Sequence, residues 1–329
     1  MVASCHHSRA ACVADTLRDA LHANEFTAGV RAGIVAAVVA LALALVWRRV
    51  RPNSGPLPIA GLAAVAAGSY ALHDRVGLSD RVLVALALLA VAGLVIDVAR
   101  LPVSYALAAA IPGAVVLDSA AAPLDALWVR LLVILTTVIG GAALTSFDRR
   151  WARHGLALPL VAMWAFGAYV TLPDTELALA LIGAAAVVAL VSWPLRLAAL
   201  GASGALPLAG LVAWIARFSG TGRPSSIVGA VAAAGVVAIE PAARALRRSG
   251  TGPIDVIVDP ARGRWWTMPA VAPIQLALVF VAARVAGLSH GVDRAVVVVG
   301  AEAVCATAIA LLITSKYIER PQSATHSEK

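Results

Sequence analysis

Eleven apolar stretches divide this chain, near 28–47, 57–73, 80–99, 101–117, 124–146, 156–172, 176–193, 195–216, 224–243, 267–288 and 293–315. Charged residues, prolines or glycines separate them. Most reach the roughly 17–25 residues that a helix needs to cross bilayer hydrocarbon. An open strand would leave backbone N–H and C=O groups unpaired in lipid, so helix is the conformation these stretches must take. The chain is therefore expected to be all-α: a polytopic integral membrane helix bundle of about 11 transmembrane helices. An extracytoplasmic polar tail is expected over 1–27, the transmembrane domain over 28–316 with a cytoplasmic loop at 249–267, and a cytoplasmic tail over 317–329.

Composition excludes the soluble alternatives. Of 329 residues, 61% are hydrophobic and 13% are charged. A soluble domain is about one quarter charged. The net charge of +8 would suggest a nucleic-acid partner in a soluble protein, but here its placement accounts for it. Sixteen Lys and Arg fall in one set of loops, among them Arg48, Arg49, Arg51, Arg100, Arg149, Arg150, Arg153 and Arg196, and eight in the opposite set. The richer set faces the cytoplasm by the positive-inside bias. The expected location is a cell (plasma or inner) membrane, with the N-terminus outside and the C-terminus cytoplasmic. The bilayer is the expected partner, nucleic acid is not, and no secretory signal pattern precedes the first stretch.

Parts of the sequence recur. W-R-R-V-R-P-N-S-G-P-L-P (Trp47 to Pro58) parallels D-R-R-W-A-R-H-G-L-A-L-P (Asp148 to Pro159). Arg31 and Arg130 sit at equivalent helix starts, and Arg100 and Arg196 each occupy a tight turn at the basic side. These matches suggest parallel four-helix repeats over 28–117, 124–216 and 224–316, the last lacking its fourth helix.

Ionisable residues at membrane depth are costly and mark candidate functional positions. Glu302 falls about ten residues into the last stretch and is a candidate proton-coupling carboxylate. Arg130 lies about one turn inside the outer surface. Its guanidinium could snorkel to headgroups, meet a phosphate or carboxylate of a substrate, or pair with Glu302. Asp97 stands three residues before Arg100, and Glu240 four before Arg244; both read as local ion pairs at helix ends. The fourth and eighth stretches carry mid-helix proline and glycine: Pro112 and Gly113, and Gly204 and Pro207. Interrupted helices of this kind build transporter binding sites, whereas the plainer account is close helix packing.

The polar loop holds Asp255-Val-Ile-Val-Asp259, followed by Arg262, Arg264, Trp265 and Trp266. Two carboxylates four apart on a helix could grip Mg²⁺ and a diphosphate. This pattern resembles that of membrane prenyltransferases. Those enzymes use two acidic clusters on one membrane side, and the other cytoplasmic loops here hold no second cluster; Pro260 also disfavours helix at Asp259. Cys5, His6, His7 and Cys12 form a metal-like cluster in a short tail whose plainer reading is a floppy terminus. Cys305 reads as a small packing residue. No nucleotide, zinc-protease, serine-hydrolase or C-x-x-C motif occurs, and no metal or cofactor is expected.

Three functions fit these observations. The leading expectation is a transporter or flippase of a small or lipid-linked, anionic substrate, with Glu302 and Arg130 as coupling and contact groups. The second is a non-catalytic subunit or scaffold partnering another membrane protein. The third is a lipid-modifying enzyme using Asp255 and Asp259, or the outer acids Asp74, Asp118 and Asp125.

Overall fold

Alanine, valine and leucine run almost unbroken from Ile34 to Val46, with no proline before Pro52, so the chain's first described element is a long helix, α1 (Asn24–Val50). It stops at Arg51, whose φ of −135° and ψ of 73° lie outside the helical region, which the residue before a proline disfavours. The computed structural model describes residues 23–52, 55–76, 78–120, 127–171, 176–220, 235–246, 254–255 and 267–288. Within them follow β1 (Leu57–Pro58), α2 (Ala60–Val76), α3 (Asp80–Val98), α4 (Ser104–Ser119), α5 (Leu127–Trp151), α6 (Ala157–Thr171), α7 (Glu176–Ser192), β2 (Ala198–Ala199), α8 (Ala202–Gly220), α9 (Gly235–Leu246) and α10 (Thr267–Leu288). The described chain is thus all-α but for one two-residue parallel bridge, β1 on β2, which pins the turn after α1 beside the turn after α7.

Helix ends follow local chemistry. Asp80 in the first turn of α3 complements the helix dipole. At its other end Arg100 turns left-handed (φ 53°), and the Leu101 N–H reaches back to the Ile96 carbonyl at 3.0 Å, before Pro102 prevents continuation. Arg196 takes the same backbone, φ 54°. The surroundings of the two turns differ, however. α3 lies along α4, whereas α7 lies along α6 and α1. Pro58 is in β1, while Pro159 is in the first turn of α6.

The innermost element is α8. Every residue from Ala202 to Leu211 is buried, against α2, α3, α4 and α5. α1 approaches α7 closely. Gly29 and Gly33, four apart, face Ala180 and Ala184, and any side chain at Gly29 would run into the Ala180 carbonyl. Small residues at this spacing let two helix backbones meet closely.

Apolar side chains also cover the outside. Val38, Leu45 and Val46 of α1, Val91, Val95 and Val98 of α3, Ile111 and Val115 of α4, and Leu131, Leu135 and Ile139 of α5 are all exposed. Among the described residues, two helices, α1 and α3, are long and apolar enough to cross a membrane. Others are shorter than their apolar stretches suggested: α4 has 16 residues, α6 has 15, and α8 starts at Ala202 rather than 195. The delay in α8 arises because Pro194 and the left-handed Arg196 and Gly201 divert the chain into β2.

Candidate functional site

Two carboxylates from different helices meet at the start of α8. A helix N-terminus exposes backbone N–H groups that lack intrahelical partners. Here four consecutive ones are satisfied. Leu200 and Gly201 donate to the Asp148 carboxylate of α5 at 3.1 and 2.9 Å, and Ala202 and Ser203 donate to the Asp97 carboxylate of α3 at 3.0 and 2.9 Å. The chain reaches this geometry through Gly201, whose φ of 72° suits glycine. A Cβ there would sit 2.8 Å from the Pro58 Cβ and 2.9 Å from Asp97 Oδ2. Burial pushes the Asp148 carboxyl up to about 6; the Asp97 charge adds to the rise, and the two amides and Arg149 oppose it. Asp148 lies just past the apolar stretch 124–146.

Asp97 therefore acts differently from its sequence reading. It caps a helix about a hundred residues away instead of pairing with Arg100. The α8 N-terminus, which could attract a substrate anion, is already filled by the protein's own carboxylates.

Arginines surround this end. Arg48 donates to the Arg196 carbonyl at 3.2 Å, and Arg149 to the Leu101 carbonyl at 2.6 Å. A second cluster lies beside them. Glu240, buried rather than on the surface as its spacing implied, accepts from Arg244 Nε and Nη2 at 2.9 and 2.8 Å and from the Ile254 N–H at 2.9 Å. Asp255 bridges Arg244 at 2.5 Å and Arg150 at 3.2 Å. Every one of these contacts joins residues expected on the same side of the membrane.

At the opposite end, Arg130 grips Asp118 with two nitrogens: Nε lies 3.2 and 3.0 Å from the two carboxylate oxygens, and Nη2 lies 2.5 Å from Oδ2. Asp118 is buried at the end of α4, while Arg130 is partly exposed. The guanidinium thus has a carboxylate partner within the chain. Glu302 lies outside the described residues, as do Cys5, His6, His7, Cys12, Asp125, Asp259, Arg262, Arg264, Trp265, Trp266 and Cys305.

Pro112 and Gly113, and Gly204 and Pro207, lie inside helices, as the sequence expected. α4 runs through Pro112 and α8 through Pro207 without a break. The glycines serve packing: a Cβ at Gly113 would meet Leu89 Cγ of α3 at 2.5 Å, and one at Gly204 would overlap Gly61 of α2. Gly204 and Arg130 sit at opposite ends of the bundle. A left-handed glycine stands elsewhere, inside an apolar stretch. Gly235, inside the stretch 224–243, has φ 47°, and α9 begins there. The next amide, Val236 N–H, donates at 2.9 Å to the wholly buried Gln275 side chain of α10. The available signal was a glutamine in an otherwise apolar stretch facing a glycine in another.

Among the described residues, no group of three or more His, Cys, Asp or Glu could hold a metal. No protein-family model and no curated protein matches the chain.

Proposed function

We propose that the chain is a multi-pass membrane protein that moves a small or lipid-linked, anionic substrate across a cell membrane, with its N-terminus outside and C-terminus cytoplasmic. The observation that carries the membrane reading is the exposed apolar surface of α1, α3, α4 and α5. Water-soluble monomers rarely expose contiguous apolar patches beyond a few hundred Å². The alternation of helix direction, with basic clusters gathered at one end, supports the same reading.

Support for transport comes from the start of α9. A left-handed glycine inside an apolar stretch, with the next amide met by a buried polar side chain, is the kind of discontinuity around which transporters build sites near mid-bilayer. A second reading, a non-catalytic membrane subunit, is supported by the close Gly/Ala contact of α1 and α7, since the same packing chemistry joins helices of different chains. The enzyme reading has less support. Asp255 is held between two arginines and Asp118 by another, so neither carboxylate is poised for chemistry.

The test uses the full chain in proteoliposomes with a fluorescent phosphatidylglycerol as probe, scored by dithionite quenching across pH. The expected result is flipping whose pH dependence flattens in Glu302→Gln. Fully pH-dependent flipping in that variant removes the coupling role. No flipping by the native chain, together with stoichiometric co-purification of one membrane protein, favours the subunit reading.

A further inference from the structure

The turn between α3 and α4 places an unusual residue at an unusual backbone. A left-handed position just past a helix end is ordinarily glycine, because a Cβ there is disfavoured. This turn uses Arg100, with φ 53° and its side chain exposed. A second guanidinium stands beside it, since Arg149 donates to the carbonyl of Leu101, the adjoining residue, at 2.6 Å. Among the described residues this is the one side-chain hydrogen bond shown for Arg149, and none is shown for the Arg100 side chain. The carboxylate oxygens of the two nearby acids are engaged elsewhere: Asp97 and Asp148 accept from the four amides at the start of α8.

The same turn closes the foot of an apolar face. Val95 and Val98 of α3 are 54% and 76% exposed, and Tyr105 in the first turn of α4 is 54% exposed. Above the turn this face continues along both helices. Two arginines at the lower edge of a lipid-facing surface match an anionic phospholipid: phosphate at the guanidiniums, acyl chains against the valines, and the tyrosine ring at headgroup level.

We propose that Arg100 and Arg149 bind the headgroup of an anionic phospholipid of the cytoplasmic leaflet at the α3–α4 turn. This inference rests on the membrane reading above, and not on transport. It gives a reason for arginine where glycine would relax the backbone.

The test compares the full-length chain in nanodiscs of phosphatidylcholine alone and of phosphatidylcholine mixed with phosphatidylglycerol. Lipid retained on release is counted by native mass spectrometry, and the thermal midpoint is recorded. The variants are Arg100→Gly, Arg149→Gln and, at the opposite end, the exposed Arg81→Gln. A basic side chain near an anionic surface contributes about 1 kcal/mol, so each of the first two should weaken phosphatidylglycerol retention about fivefold. Arg81→Gln should leave it unchanged. Arg100→Gly relieves the left-handed backbone, so it should fold at least as well in phosphatidylcholine while losing the gain from phosphatidylglycerol. Retention equal to native in both Arg100→Gly and Arg149→Gln overturns the proposal. So does an equal stabilisation by inorganic phosphate in phosphatidylcholine nanodiscs, which would mark a site for free anions. A chain that stays monodisperse without detergent or lipid overturns the membrane reading itself, separately from lipid preference.

Discussion

Replacing Gly201 by alanine tests whether the carboxylate cradle holds α8 in place. The new Cβ meets two separate costs. A Cβ in left-handed backbone costs about 1–2 kcal/mol. It would also lie 2.8 Å from both the Cβ and the carbonyl oxygen of Pro58 and 2.9 Å from Asp97 Oδ2. Something must move. If Asp97 moves, the amides of Ala202 and Ser203 lose a buried acceptor, at about 1–3 kcal/mol for a bond left unmade. If Pro58 moves, it strains the β1–β2 bridge and the 3.2 Å bond that Ser203 Oγ donates to its carbonyl. Together these predict a loss of roughly 2–5 kcal/mol. The assay is SDS titration of the chain in mixed micelles, followed by tryptophan fluorescence. Trp151 is a buried reporter at the same end. Gly55→Ala is the control, because a Cβ there meets no heavy atom within 4 Å, and a change of no more than about 0.5 kcal/mol is expected. A loss in Gly201→Ala no larger than in the control would refute the reasoning.

Asp148 predicts a pH signature. Its folded value of about 6 lies above the unfolded 3.8, so the folded chain binds the extra proton between these values. The resulting stabilisation is fully present below about pH 3.8 and lost as pH rises through 6, about 3 kcal/mol in all. Asp148→Asn should remove that slope: the native-minus-variant unfolding free energy should fall between pH 4 and pH 7.5, and a flat difference would contradict the assignment. At the opposite end, Arg130→Gln removes the guanidinium from the buried Asp118 carboxylate and should cost about 1–2 kcal/mol, discounted for the exposure of the arginine. Adding Asp118→Asn should recover part of that loss in the same titration; additive losses would show that the pair is not coupled.

The helices were legible because lipid-compatible apolar stretches have few other solutions, and α10 matches its stretch at 267–288. Arg100 and Arg196 were correctly placed in tight turns, since charged residues and prolines cluster where helices end. The cradle was not legible. Its bonds join residues 52 to 106 positions apart, and nothing local to Asp97 or Asp148 announces a partner at that distance. Asp97 looked satisfied by a nearby arginine, and Asp148 stood unnoticed among basic neighbours. The prolines were legible as mid-helix residues, but not how the helices accommodate them. A helix buried on several sides can carry proline through its middle, because the packing of α8 against four neighbours holds the axis where one hydrogen bond is missing.

The cradle also imposes an order on assembly. Asp97 and Asp148 emerge from the ribosome well before the amides of Leu200 to Ser203 exist. Until then two adjacent carboxylates have no backbone donors, and the turn at Leu57 has no strand to pair with. Helices α1 to α7 can therefore form one after another, but the end of the bundle that gathers α3, α5 and β1 closes only when α8 arrives between them. A nascent chain stalled before residue 200 would hold its helices without their common fastening, and quality-control proteases would meet an open end rather than a folded one.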